Sequence, residues 1–114
     1  MNQPVEKPWG SYQSIYNDPD TQVKIIRIKP NERPSYQYHF RRTEHWIVVR
    51  GTGVLVQDGK EIPIAPGMVI FVPKESKHAA HNTGKDELMF VEVQLGDYFG
   101  EDDIVRLDDR YGRT

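Results

Sequence analysis

The chain has 114 residues, with 15 basic against 17 acidic side chains, a formal charge of −2 and no cysteine. That length holds one domain with a single core, and the charge balance gives no global attraction to nucleic acid or an anionic membrane. The missing thiols exclude disulfides, thiolate metal sites and a cysteine nucleophile together, so any metal must be held by nitrogen and oxygen.

The opening Met1-Asn2-Gln3-Pro4-Val5-Glu6-Lys7-Pro8 has no apolar signal core, and no run along the chain is long enough to span a bilayer; a soluble cytoplasmic protein is expected. Short segments rich in β-branched and aromatic residues predict strands at Val23 to Ile28, Tyr36 to Phe40, Trp46 to Val49, Gly53 to Gln57, Lys60 to Ile64, Val69 to Val72, His78 to His81 and Leu88 to Leu95. Lys29-Pro30-Asn31 and Asn82-Thr83-Gly84 read as turns. Asp58-Gly59 predicts a two-residue hairpin, because the tight primed turn needs positive φ at both positions. Pro66-Gly67 predicts a type II turn. Such a series of short strands indicates an all-β sandwich or small barrel, with one or two helical turns expected only in the acidic tail, Gly100 to Leu107.

The stretch Ser35-Tyr36-Gln37-Tyr38-His39-Phe40-Arg41-Arg42-Thr43-Glu44-His45-Trp46 concentrates the chemistry. Strand alternation puts Gln37 and His39 on one face with Ser35 and Arg41, and Tyr36, Tyr38 and Phe40 on the other. A turn near Arg42 and Thr43 would return Glu44 across a hairpin, and His78 follows as a fourth metal-capable side chain. By the same alternation His45 faces away from Glu44, and His81 away from His78. An outer aromatic row on a small barrel predicts a homodimer, unless the second sheet or the segment from Trp9 to Ile15 covers it. Trp9 and Trp46 are expected to pack rather than to stack on a ligand.

The spacings Asn31-x5-Gln37-x-His39-x4-Glu44-x6-Gly51 and Gly67-x5-Pro73-x4-His78-x3-Asn82 resemble the two cupin motifs in order. The glutamine at the first donor position, Glu44-His45-Trp46, Lys7-Pro8-Trp9-Gly10-Ser11-Tyr12 and the tail from Gly96 through Asp109-Arg110-Tyr111-Gly112-Arg113 are similar to the type II mannose-6-phosphate isomerase domain, over nearly the whole chain. The resemblance implies a single cupin domain, residues 1–114, folded as a double-stranded β-helix. It implies one divalent ion of the Zn, Mn or Co kind on Gln37, His39, Glu44 and His78. It also implies an aldose–ketose isomerase interconverting mannose 6-phosphate and fructose 6-phosphate through an enediol. In that family the domain often follows a mannose-1-phosphate guanylyltransferase domain. Here there is no Gly-rich nucleotide loop, so only the isomerase half is expected, with a separate guanylyltransferase as a pathway partner.

Three neutral donors and one carboxylate would leave a divalent ion about one positive charge by formal counting, enough for a Lewis acid. Arg42, between two donors, is the catalytic candidate for the sugar pocket; Lys24, Ser35 and Arg113 are the substrate-binding candidates, the cations for the phosphate. The proton-transfer base is not assigned, metal-bound water or a carboxylate of the tail being open choices. Against the family pattern, Asn31 and Glu75 stand where glycine is usual, Phe40 and Arg41 where histidines are common, Ile25 where an arginine is usual and Ala79 where arginine often follows the donor histidine. These changes bear on substrate affinity rather than on the donors. Two other readings use the same residues: a non-catalytic sugar- or metal-binding cupin, or another enzyme, such as an isomerase or epimerase of a different sugar phosphate or nucleotide-sugar, or a dioxygenase.

Overall fold

Alternating burial along the long strands Arg42–Arg50 and Leu88–Gly96 sets the inner face of a molecule built of two antiparallel sheets, seen in a computed structural model that describes residues 3–108. The strands are β1 (Val5–Lys7), β2 (Gly10–Asp18), β3 (Thr21–Ile28), β4 (Tyr36–His39), β5 (Arg42–Arg50), β6 (Gly53–Gln57), β7 (Lys60–Ile64), β8 (Val69–Val72), β9 (His78–His81), β10 (Leu88–Gly96) and β11 (Ile104–Asp108). One sheet has six strands in the order β1-β2-β3-β10-β5-β8, the other five in the order β11-β4-β9-β6-β7. Among the described residues no helix is long and apolar enough to cross a membrane.

The inner faces share one core. On β3, β5, β8 and β10 the even-numbered residues turn inward, so Ile26, Ile28, Trp46, Val48, Ile70, Val72, Leu88 and Phe90 meet Leu55, Ile64 and Ala80 of the facing sheet. Trp9 and Trp46 are both core residues, as expected. Toward one end the same inward parity carries Lys24, Arg42, Glu44, Glu92 and Gln94 instead. The barrel therefore has an apolar half and a polar half.

The expected turns form. Asp58 and Gly59 have φ of 48° and 82° between the paired Gln57 and Lys60. Gly67 has φ 91°, and Met68 N–H donates to the Ala65 carbonyl. Asn31 and Glu75 both adopt positive φ, 63° and 66°, each at the third position of a turn closed by a backbone hydrogen bond. At these two positions, where the sequence resemblance expects glycine, Asn31 and Glu75 take the left-handed conformation that glycine occupies without strain.

Three expectations need correction. The turn between β4 and β5 lies at Phe40 and Arg41, and it is not a hairpin: β4 pairs with β9 and β11, β5 with β8 and β10. There the chain crosses from one sheet to the other, braced by Asp103, which accepts hydrogen bonds from the Phe40 and Arg41 amides. Gly96 permits the crossing, since a Cβ there would lie 2.2 Å from the Arg41 carbonyl oxygen. Second, Arg41 turns out of the cavity face, exposed and paired with Asp97 at 3.1 Å. Third, the acidic tail is a single 3-10 turn, Glu101–Asp103, followed by β11 beside β4. The strands β1, β2 and β11 were not predicted; their polar composition hides the signal, and β1 and β11 are edge strands. Arg113 lies outside the described residues.

Candidate metal centre

His39 on β4, Glu44 on β5 and His78 on β9 point inward from both sheets, and their donor atoms lie within 4.8 Å of one another. All three are nearly sealed from solvent. Gln37, the fourth expected donor, is in register with His78 across the β4–β9 pair and lines the same cavity. Ser35 is buried beside it, its hydroxyl donating to the Gln37 carbonyl oxygen at 3.4 Å.

Each donor is oriented by a second group. Nδ1–H of His78 donates to the Ser76 carbonyl at 2.8 Å, which leaves the Nε2 lone pair aimed at the cluster, 3.8 Å from Glu44 Oε1. Trp46 Nε1–H donates to Glu44 Oε1 and Arg42 Nε–H to Oε2, both at 2.9 Å. Trp46 stacks on Phe90 with centroids 4.5 Å apart, so the apolar core fixes the indole that fixes the carboxylate. A further Arg42 N–H meets His39 Nε2 at 2.9 Å; arginine only donates, so this nitrogen accepts and the imidazole is neutral.

The charges follow from burial and neighbours. His39 is pushed down to about 3, chiefly because burial disfavours imidazolium, with Arg42 and His78 acting in the same direction against Glu44. For Glu44 burial works upward, but His78, Arg42, His39 and the Trp46 hydrogen bond outweigh it and hold the carboxyl at about 2. Neutral imidazoles beside an ionised carboxylate, with His78 and Glu44 each held by an outer hydrogen bond, are a donor set that fits a divalent metal ion. His39, Glu44 and His78 would hold the ion, and Arg42 would compete with it for the Nε2 lone pair of His39.

Arg42, Lys24, Ser35 and Gln37 line the same cavity as Glu44 and His78, while His39 meets Arg42 without lining it. Arg42 is buried against the donors, not solvated at a turn. Lys24 projects inward from β3, its ammonium 4.6 Å from the Tyr12 ring centroid, and burial lowers its pKa with Glu92 opposing. Of the four substituted pocket positions, Ala79 alone lines the cavity. Ile25, paired with Val91 and Gln13, is on the outer face, and Phe40 and Arg41 are exposed. His45 also faces out, against Phe71, as its parity implied.

The structure adds residues that sequence reasoning missed. Glu92 and Gln94 sit on the inner face of β10, and Arg106 enters from β11 in register with Gln37. Glu92 is pushed up to about 8, first by burial and then by repulsion from Glu44. Gln94 Oε1 and Arg106 Nε are buried with no hydrogen-bond partner among the described residues. In Leu88-Met89-Phe90-Val91-Glu92-Val93-Gln94-Leu95 the signal was present: Glu92 and Gln94 share the parity of Leu88 and Phe90. Arg106 lay on a strand that was not predicted.

Residues 1–109 match the model of the family described as mannose-6-phosphate isomerase C-terminal. The alginate biosynthesis protein AlgA of Pseudomonas aeruginosa is 47% identical over 110 residues, 96% of this chain and 23% of that protein. Mannose-1-phosphate guanylyltransferase ManC of Salmonella typhimurium is 42% identical over 114 residues, 100% of this chain and 24% of that protein. The chain thus spans about a quarter of the length of these curated relatives. Among solved structures, a Klebsiella pneumoniae protein with a double-stranded β-helix domain superposes with a TM-score of 0.77 at 18% identity, over 94% of this chain and 86% of that one. It supports the double-stranded β-helix, cupin fold and nothing finer.

Proposed function

The chain belongs to the mannose-6-phosphate isomerase C-terminal family, and from that premise we propose that it is itself a metal-dependent aldose–ketose isomerase acting on mannose 6-phosphate and fructose 6-phosphate. The observation that carries this reading is the buried His39–Glu44–His78 cluster opening onto a cavity that Lys24, Arg42 and Arg106 also line. When bound, a divalent ion would supply Lewis-acid polarisation of the carbonyl and hold the charge that develops on oxygen.

The chain's own residues supply the rest. Arg106, with its unpartnered Nε and its NH2 3.6 Å from Glu101, and Lys24 are the cations that bind the phosphate. Arg42 keeps Glu44 ionised and presents a guanidinium edge to the sugar. Ser35 fixes the Gln37 amide. The placement of Ile25, Phe40 and Arg41 away from the cavity favours a working pocket over a binding module that has lost it. A homodimer belongs to the same reading, but through a different surface from the Tyr36–Phe40 row. The outer face of the six-stranded sheet exposes Ile47, Val69 and Phe71 at 47%, 67% and 51%, whereas Tyr36 and Tyr38 are half-buried.

The test is conversion of mannose 6-phosphate to fructose 6-phosphate by protein stripped of metal and reloaded in parallel with Zn, Mn and Co. Turnover that requires the metal and is lost in His78→Ala is the expected result. No turnover despite stoichiometric metal uptake would overturn the isomerase in favour of a binding module.

A further inference from the structure

We infer that Glu92 is the proton-transfer residue of this cavity, a reading that deepens the isomerase assignment above and rests on it. Moving a carbonyl between adjacent sugar carbons requires one side chain that takes a proton from carbon and gives it back one carbon away. The wall of the cavity holds three carboxylates among the described residues: Glu44, Glu92 and Glu101. Glu44 is committed on both oxygens, to Trp46 and Arg42. Glu101 is at the exposed mouth, paired with Arg106. Glu92 is 7% exposed and has no ion pair among the described residues. Gln94 Nε2–H donates to its Oε2, and its Oε1 accepts no hydrogen bond from any described residue.

Position agrees with the role. On β10 Glu92 is flanked in register by Lys24 on one side and Trp46 on the other, while the next inward residue, Gln94, faces Glu44. Glu92 and Glu44 are thus diagonal neighbours on one sheet face, a spacing of roughly 7–8 Å between positions. In this reading the sugar's carbonyl end lies between the donor cluster and Glu92, with Arg106 left for the phosphate end. A buried carboxyl without an ion pair is costly to fold, and such costs concentrate where chemistry is done.

The step balances without a co-reactant. Glu92 Oε1 forms an O–H bond with the proton leaving C2 of the open-chain aldose. The C2–H electron pair becomes the C1–C2 double bond, and the carbonyl pair moves to O1. Glu92 then returns its proton to C1 as the carbonyl forms at C2. The proton that O2 gives up passes to the neighbouring O1 within the enediol, so one proton moves between the carbons and one between the oxygens, and C1 is reduced as C2 is oxidised.

The experiment uses mannose 6-phosphate deuterated at C2 with wild type, Glu92→Gln, Glu92→Asp and Lys24→Met, each loaded with Zn, Mn or Co. Calorimetry measures metal and sugar-phosphate binding, and NMR follows conversion and departure of the label from C2, whether to C1 or to solvent. Glu92→Gln should still take up stoichiometric metal and bind sugar phosphate, yet convert about 10²–10⁴-fold more slowly, the usual worth of a general base. Glu92→Asp should fall between them, and it carries the test if Glu92→Gln does not fold. Glu92→Gln, or a folded Glu92→Asp in its place, running at the wild-type rate would overturn the inference alone. So would abolition of label loss by Lys24→Met but not by Glu92→Gln, which would make Lys24 the base. Wild type that binds both metal and sugar phosphate but leaves the label in place would overturn the isomerase reading and this one with it.

Discussion

Substituting Glu92 by glutamine should change how stability depends on pH even without metal or substrate. Folded, its carboxyl is pushed up from 4.5 to about 8; unfolded, it returns to its ordinary value. Between those limits the folded chain holds a proton that the unfolded chain has lost. Stability from this group is therefore full below about pH 4.5 and is lost as pH rises through about 8, at about 1.4 kcal/mol per pH unit in mid-window. His39 works with the opposite sign, since its folded value of about 3 lies below 6.5, but above pH 7 little of that remains. From pH 7 to 8.5 the Glu92 contribution integrates to about 1 kcal/mol. With an m-value of about 1–3 kcal/mol/M, this lowers the urea midpoint by about 0.3–1 M. The assay is urea unfolding of chelator-treated wild type and Glu92→Gln at several pH values across that range; Lys24 and His39 are common to both proteins and largely cancel in the difference. The midpoint should fall in wild type and stay nearly level in Glu92→Gln. Two level curves would mean that Glu92 is already ionised at pH 7, neutralised by Lys24, and would refute the reasoning.

Arg42→Met removes the buried partner of Glu44 and should cost the metal-free protein about 3–5 kcal/mol, with Mn or Zn restoring much of the lost melting temperature because a cation again neutralises Glu44; thermal unfolding with and without metal checks both halves. Glu75→Gly should stabilise by about 1 kcal/mol, because φ of 66° strains a side chain there; an unchanged or lower urea midpoint would count against the turn geometry. Phe71→Lys, on the outer face of the six-stranded sheet, should shift a dimer to monomer in light scattering at micromolar concentration without moving metal uptake.

Most of the strand map was legible because its signals are local. Asp58-Gly59 and Pro66-Gly67 marked where strands end, and period-two alternation put Gln37 and His39 on the inner face and turned His45 away from Glu44. The donor spacing revealed which side chains meet but not how. Glu44 was expected across a hairpin, yet β4 and β5 belong to different sheets, and a sequence does not say which strand a short turn leads back to. Arg42 could be placed between two donors, but not its grip on both of them, which depends on the crossing at Phe40 and Arg41. Arg106 was missed because β11 is held as a strand by pairing with β4 rather than by its own residues.

The polar half of the barrel links the metal to Glu92 in a way that one titration can read. Glu44's charge is part of what keeps Glu92 protonated, second only to burial. A divalent ion on His39, Glu44 and His78 would neutralise that charge and add positive charge, and both effects favour ionised Glu92. Glu44 is already ionised and His39 already neutral at pH 7.5, so neither donor contributes a proton of its own. Uptake of Zn or Mn at that pH should therefore release roughly three-quarters of a proton from a carboxyl titrating near 8. Calorimetry in buffers of different ionisation enthalpy measures this number. Wild type should release it and Glu92→Gln should lack it, while both take up the same amount of metal. Equal release from the two proteins would place the proton elsewhere in the cluster and uncouple Glu92 from the ion. Unequal release would mean that metal binding itself converts Glu92 from the neutral acid of the empty cavity into the carboxylate that can accept a proton from carbon.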